Sequence, residues 1–432
     1  MSPAVIKRSR HTNHLSIEIR LKAPSIAIFS GSHLCHNPRV IKEATALARA
    51  GYEVEVVGGW FDKSLKARDQ ELLSRLKIKF TPALDLVENV GCTRFIARLR
   101  RKLGEVAHAK IGLENRWQLG IFEPALREAA VHSKADLLIA HSEPTMAVVA
   151  EVGRRQGRRV GVDLEDWFSE EGTVETRHHR VTRLVRSLEA SLLSLGKHSS
   201  CTSRAMSDAL AREFACDPPQ VIYNAFAWTE RQFLDSQMKD RRDPRLFSIH
   251  WYSQTVGRWR GLEDLFAALP YLNRQVEIHL RGRPMAGLDE WLTNQVPPEW
   301  RPRVYLHDLV TNDELLSRIA EHDIGFAGEG TYCRNKELTV SNKILHYLLA
   351  GRAVVASNTA GHQEVAEQAG GAVSLYQSGN PLSLASELNR LLDSPETLGA
   401  MKAAALSAAE KSFCWERQEP ILLRSIEKAL TV

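Results

Sequence analysis

Apolar and polar positions along the chain alternate between two rhythms. Short continuous apolar runs end in glycine or a small polar residue, and after each the apolar positions recur every three or four residues. SIAIFSG (25–31) reads as a buried strand that runs into a glycine turn. PRVIKEATALARAG (38–51) then places Ile41, Ala44 and Leu47 at helical spacing and stops at Gly51, and YEVEVVGG (52–59) returns as a strand. ADLLIAHS (135–142), RVGVDLED (159–166), HSSCTS (198–203) and QVIYNA (220–225) continue the series. MKDRRDPR (238–245) is charged and contains proline, and reads as a linker. The pattern then restarts with LFSIHWYS (246–253), a glycine-containing turn, a helix from Leu262 and VEIHLRG (276–282). VYLHD, DIGFAG, AVVAS and AVSLY supply further strands, each spaced by a helix, and SFCWERQEPILLRSIEKAL reads as a terminal helix.

Two successive series of alternating strand and helix predict an α/β fold of two Rossmann-like doubly wound domains facing a cleft. The division falls at 1–237 and 238–432, with the terminal helix in the second domain. In open α/β sheets ligands bind at the carboxyl ends of the strands. His141 and Asp166 stand at two such ends.

Composition narrows the class. Hydrophobic residues make up 44% and charged residues 25%, which allows a sizeable core under a polar surface. A net charge of +5 suits anionic small molecules or an acidic membrane surface, and is too weak to argue for nucleic acid. The six cysteines are scattered without C-x-x-C spacing, as expected of reduced thiols rather than disulfides or a zinc site. The first ~20 residues are polar and read as loose, with no signal-peptide core. No apolar run reaches the ~18 residues of a membrane span. A cytoplasmic location is expected, with peripheral contact at the inner face of the membrane as an option.

The segment SNKILHYLLAGRAVVASNTAGHQEV (341–365) carries the candidate chemistry. Lys343, His346 and Tyr347 share one side of a helix, while Ile344, Leu345, Leu348 and Leu349 lie towards the other. Thr339, Ser341 and Asn342 form its polar start, with Ser341 or Thr339 as N-cap. Free N–H groups and the helix dipole make such a start a phosphate site, and Lys343 adds a full charge. The same residues also describe a capped surface helix with a solvated lysine.

The order helix, Gly351, AVVAS and the Gly361 turn resembles the nucleotide-sugar site of retaining glycosyltransferases with the GT-B fold, specifically glycosyltransferase family 4 (glycosyl transferases group 1). SNKILHYLLAGRAVVAS matches the family's P-x-K-L-x-E-Y-x-A-A-G-x-P-V-V-A-S stretch. HNPRVIKEATALARAGYEVEVV (36–57) resembles its D/N-P-R-V-x-K-E-A opening, and WYSQTVGRWRGLEDLFAAL (251–269) its strand, turn and helix that begin the second domain. HDIGFAGEG (322–330) resembles the strand before the donor helix. By this resemblance Arg260 grips the donor diphosphate, with Arg258 as a second contact. Guanidinium suits phosphate because its planar fork donates two bonds at once. IAHSEP resembles the strand whose histidine, here His141, lies near the transferred sugar, and GVDLEDWFSEE resembles the next strand end, at Asp166. Gly31 lets backbone approach sugar or acceptor.

The pattern breaks at one point. The family usually shows E-x7-E in the donor stretch, and the later glutamate binds ribose. His346 stands there, and a neutral imidazole can still accept one hydrogen bond and donate another. The earlier position is Leu338, beside Glu337; Glu329 is the other candidate to replace it.

The resemblance implies an enzyme that moves a sugar from a nucleotide diphosphate sugar to an acceptor with retention of configuration. Arg260 and Lys343 would stabilise the departing diphosphate without a metal or cofactor, and no D-x-D stretch is present. The first domain would bind the acceptor and the second the donor, and closure would exclude water. TRFIARLRRKLGEVAHAK (93–110) is basic, with Phe95, Ile96, Leu99 and Leu103 at helical spacing. It reads equally as a solvated surface helix or as one lying on an anionic membrane near a glycan or lipid-linked acceptor. Two alternatives share the scaffold, a catalytically silent nucleotide-sugar-binding subunit and a nucleotide-sugar epimerase, though acid and base residues for the latter are not evident. GSHLCHNP lacks the G-x-G-x-x-G of a nicotinamide-dependent oxidoreductase.

Overall fold

The computed structural model describes residues 23–88 and 91–431; the polar N-terminal stretch 1–22 lies outside them. The first sheet has seven parallel strands, β1 (Ser25–Phe29), β2 (Glu53–Trp60), β3 (Lys79–Asp85), β4 (Leu137–Ala140), β5 (Val160–Leu164), β6 (His198–Cys201) and β7 (Gln220–Val221), in the order β3-β2-β1-β4-β5-β6-β7. The second has β8 (Phe247–Val256), β9 (Val276–Pro284), β10 (Val304–His307), β11 (Ile324–Ala327), β12 (Ala353–Ser357) and β13 (Val373–Tyr376), ordered β10-β9-β8-β11-β12-β13. The two-domain α/β architecture read from the sequence is the one observed.

Helices cover both faces of each sheet, so β1, β4, β11 and β12 are buried on either side and appear in the sequence as unbroken apolar runs. β3 escaped that reading. It is a half-exposed edge strand with Pro82 inside it, and neither feature produces an apolar run.

The domain division differs from the expected one. QVIYNA is a strand only at Gln220–Val221. Ile222 packs in the core of the first domain, while Tyr223 and Ala225 pack in that of the second, so the chain crosses there. The supposed linker is anchored on the second sheet, where Asp240 is buried and Arg241 pairs with Glu277 and Asp323. The terminal helix Trp415–Thr431 returns to the first domain, its Trp415, Leu422 and Ile426 packing with Ile26, Ile28 and Val40. His198 Nδ1 meets Ser425 Oγ at 2.8 Å, and Tyr223 N donates to Gln418 Oε1. The apolar stripe of that helix fits either sheet, and sequence order does not say which it covers. Both crossings run side by side, with Trp415 N donating to Phe226 O at 2.8 Å.

Candidate functional site

Strand order reverses between β1 and β4 in the first sheet and between β8 and β11 in the second. The loops after these four strands are where an open α/β sheet leaves a crevice. In the first domain they are tightly joined. A Cβ on Gly31 would lie 2.5 Å from Ser142 Oγ and 3.3 Å from Pro144 Cγ, so the glycine lets the two loops pack closely. His141 does not open onto the cleft. Its Nε2 faces Glu43 Oε2 at 2.5 Å and its Nδ1 lies 3.9 Å from Asp163 Oδ1. Burial opposes its charge, but Glu43 and Asp163 outweigh burial and raise its pKa above that of a free imidazole. The expectation that His141 meets the sugar is therefore not matched by its position, because both ring nitrogens are directed at buried carboxylates. Glu43, His141 and Asp163 are close enough together to ligate a metal, yet Arg39 already binds Asp163 bidentately at 2.7 and 2.8 Å, and Ser200 adds a third bond. Arg39 and Glu43 occupy core-facing positions beside Val40 and Ala44 on the helix Pro38–Arg49. Charged residues at core spacing were the sequence signal for this cluster.

Asp166 links the domains. Its Oδ1 accepts from Asn335 Nδ2 at 2.7 Å, and Trp167 N donates to Asn335 Oδ1 at 2.8 Å. Lys336 Nζ lies 3.8 Å from the same carboxylate. Asn335 and Lys336 carried no motif signal.

The second domain gathers the basic residues. Arg258, Trp259 and Arg260 are exposed on the loop after β8, and Trp259 takes a left-handed φ of 64°. Gly261, at φ 79°, lies against the Gly328 backbone so closely that a Cβ would come within 2.6 Å, which locks this loop to the one after β11. Arg260 Nη1 donates to Ser253 Oγ at 2.8 Å. Trp251 lies between the Arg260 main chain and Lys343, its Nε1 donating to the Arg260 carbonyl oxygen at 3.3 Å and its ring lying 5.8 Å beneath Lys343 Nζ. The Trp251 indole thus holds the Arg260 main chain by its N–H and underlies Lys343 at the carboxyl edge of the sheet, while the Arg260 guanidinium turns to Ser253.

Lys343 is not solvated there. It pairs with Glu329, which also accepts from Ser341 Oγ at 3.2 Å. Burial raises the Glu329 pKa, but Lys343 overrides this and holds it below the usual carboxylate range. Ser341 is the N-cap, accepting from Lys343 N at 3.3 Å, and Asn342 beside it is exposed. Beyond Asn342 the helix Asn342–Ala350 is buried on every side, contrary to the expected two-faced helix. Tyr347 Oη donates to His250 O, and His346 is 3% exposed. The His346 ring stacks on Phe226 with centroids 3.5 Å apart, and its Nδ1 lies 2.9 Å from Tyr252 Oη. Burial lowers its pKa to about 3, so it is neutral. This places His346 beside the interdomain crossing rather than at an open ribose site. Glu337 accepts from Ala360 N at 3.2 Å, so its carboxylate sits on the N-terminus of the helix Ala360–Gln368.

Among the described residues no helix is long and apolar enough to cross a membrane. Residues 37–225 match the family described as Glycosyl transferase 4-like domain, and residues 249–394 match Glycosyl transferases group 1. No curated protein matches the chain. Among solved structures, Anabaena HepE in complex with UDP-glucose superposes with a TM-score of 0.68 at 16% identity, covering 93% of this chain and 99% of that one. A glycosyltransferase from Rickettsia africae ESF-5 gives 0.63 at 12%, covering 95% and 99%. Sucrose-phosphate synthase from Thermosynechococcus elongatus gives 0.62 at 13%, covering 94% and 98%. Such identities speak for the shared fold, while the two family matches span both domains and most of the sequence. The chain belongs to the group 1 glycosyltransferases and is a transferase of the GT-B fold.

Proposed function

We propose that the enzyme transfers a sugar from a nucleotide diphosphate sugar, bound mainly by the second domain, to a glycan or lipid-linked glycan acceptor on the first. The observation that carries this reading is that Trp251, at the switch point of the second sheet, anchors the main chain of the exposed Arg260 and lies beneath Lys343, so both basic residues stand at that one strand end. Negative charge grows on the diphosphate as the glycosidic bond breaks, and fixed cations there lower the barrier without a metal. Arg260 takes the outer phosphate contact, with Arg258 beside it. Lys343 contributes by turning from Glu329 to the diphosphate. Asn335 and Asp166 hold the domains together over the reacting atoms, which limits hydrolysis. Retention of anomeric configuration follows the family resemblance, as does a role in polysaccharide or cell-envelope assembly in the cytoplasm.

UDP is the first nucleotide to test, because the HepE structures hold UDP and UDP-glucose. A panel of UDP-, GDP- and TDP-sugars is assayed for transfer and hydrolysis in chelator, and product configuration is read by NMR. Turnover with retention is expected; inversion, or an absolute need for divalent metal, would sink the mechanism. One observation favours a second reading, a silent nucleotide-sugar-binding subunit: Lys343 already has an internal counter-ion. Nucleotide binding with no turnover across the panel would select it.

A further inference from the structure

The helix Cys92–Ile111 leaves an apolar ridge without a partner. Phe95, Ile96, Leu99, Leu103 and Val106 are all exposed, Phe95 to 66%, and their spacing puts them on one side. The only buried residue among those described in this helix is Gly104. A Cβ there would lie about 3.1 Å from Asn115 and Gln118, so Gly104 is where the helix rests on the turn Arg116–Gln118. Gly104 is roughly opposite the ridge on a helix of 3.6 residues per turn, and the ridge therefore faces outward.

Charge indicates what covers the ridge. Arg94, Arg98, Arg100, Arg101, Lys102 and Lys110 flank it, against the single acid Glu105. Glu105 pairs with Arg101 and Lys102; the other four cations form no ion pair with described residues. Two copies meeting through this face would set like charges against each other. An anionic bilayer instead receives the apolar side chains at the acyl boundary and the cations among its phosphates. The helix also follows β3, and all strands of the parallel first sheet end at one edge, the edge that borders the cleft.

We propose that the ridge of Cys92–Ile111 seats the protein on an anionic lipid surface, with the mouth of the first domain beside the headgroups. The lipid contact stands independently of the transferase reading; only the delivery of a lipid-linked acceptor rests on it.

The test is flotation of the full chain with vesicles of phosphatidylcholine alone or with about 30% phosphatidylglycerol. Binding to the anionic vesicles only, weakened by raising salt from about 0.1 to about 0.5 M, is expected. The variant Phe95→Ser/Leu99→Ser/Leu103→Ser should keep its melting temperature, since these side chains are exposed, and lose more than about tenfold in partitioning. Arg98→Glu/Lys102→Glu should lose binding to anionic vesicles with the same fold retained. No flotation of the wild type at low salt, or flotation unchanged in the triple variant, overturns the proposal. So does a wild-type dimer in solution that the triple variant converts to monomer, because the ridge then covers a second copy. None of these outcomes depends on whether sugar is transferred.

Discussion

Glu329 holds the ammonium group of Lys343 inside the carboxyl edge of the second sheet. Both side chains are largely buried, so neither can be removed alone without leaving its partner uncompensated. Lys343→Met is expected to cost about 3–5 kcal/mol of stability in denaturant melts. The double variant Lys343→Met/Glu329→Gln should recover most of that, while its affinity for a nucleoside diphosphate stays low. Wild-type UDP affinity in the double variant would show that Lys343 serves the fold and not the phosphate.

Arg260 makes the complementary case. Its side chain is exposed, and among the described residues its guanidinium donates to Ser253 Oγ alone. Arg260→Ala should leave the melting temperature within error. Loss of a charge-assisted bond to phosphate should weaken diphosphate binding by about 1.5–3 kcal/mol, roughly ten- to a hundredfold by calorimetric titration. Equal affinity in variant and wild type would detach this loop from the donor.

The strand ends that frame the site were legible because AVVAS and SIAIF are buried on both faces, and such strands read as continuous apolar runs. Ser341 was legible as a cap from its polar start before an apolar helix. The fate of the side chains that follow was not. Whether Lys343 faces solvent, phosphate or Glu329 depends on a partner fourteen residues away across a loop. His346 looked like a cleft residue by its spacing from Lys343, but Phe226 of the crossing segment closes over it. Helical periodicity reports which residues share a side, and a helix buried all round has no solvent side for that pattern to reveal.

Glu364 ties the second domain to the first. Its carboxylate accepts from Arg204 N and Ala205 N at 3.0 and 2.9 Å, capping the helix Arg204–Phe214, and from Tyr223 Oη at 2.9 Å. Together with Asn335 on Asp166 and Trp167 it fixes the domains over the cleft. Glu364→Ala should cost about 1–2 kcal/mol for the lost cap. Combined with Asn335→Ala it should widen the cleft, seen as a larger radius of gyration in solution scattering and faster proteolysis near 222–228. Donor hydrolysis relative to transfer should rise. Identical scattering curves would show that other contacts set closure.

Four imidazoles stack through the second sheet. His307 lies on His279, with ring nitrogens 2.9 Å apart, His279 packs on His322 at a centroid distance of 4.5 Å, and His322 stacks on His250 at 4.6 Å. Asp240, Glu277, Arg241, Arg281 and Tyr305 surround them. Burial is the main cause that lowers all four, His322 to about 4 and His279 to about 2. An unfolded chain would protonate them near 6.5. Between that value and pH 4 the unfolded state therefore binds more protons, so this contribution is complete above pH 6.5 and is lost as pH falls. At pH 5 the loss amounts to about 2 kcal/mol per imidazole that stays neutral when folded. Glu189, pushed up to about 7 by burial, runs the other way and loses stability as pH rises. Comparing urea midpoints of the wild type and His279→Asn/His322→Asn at pH 7, 6 and 5 cancels that opposing slope. The wild type should lose more stability than the variant on acidification. Parallel midpoints across the range would mean that the stack takes up protons without cost to the fold.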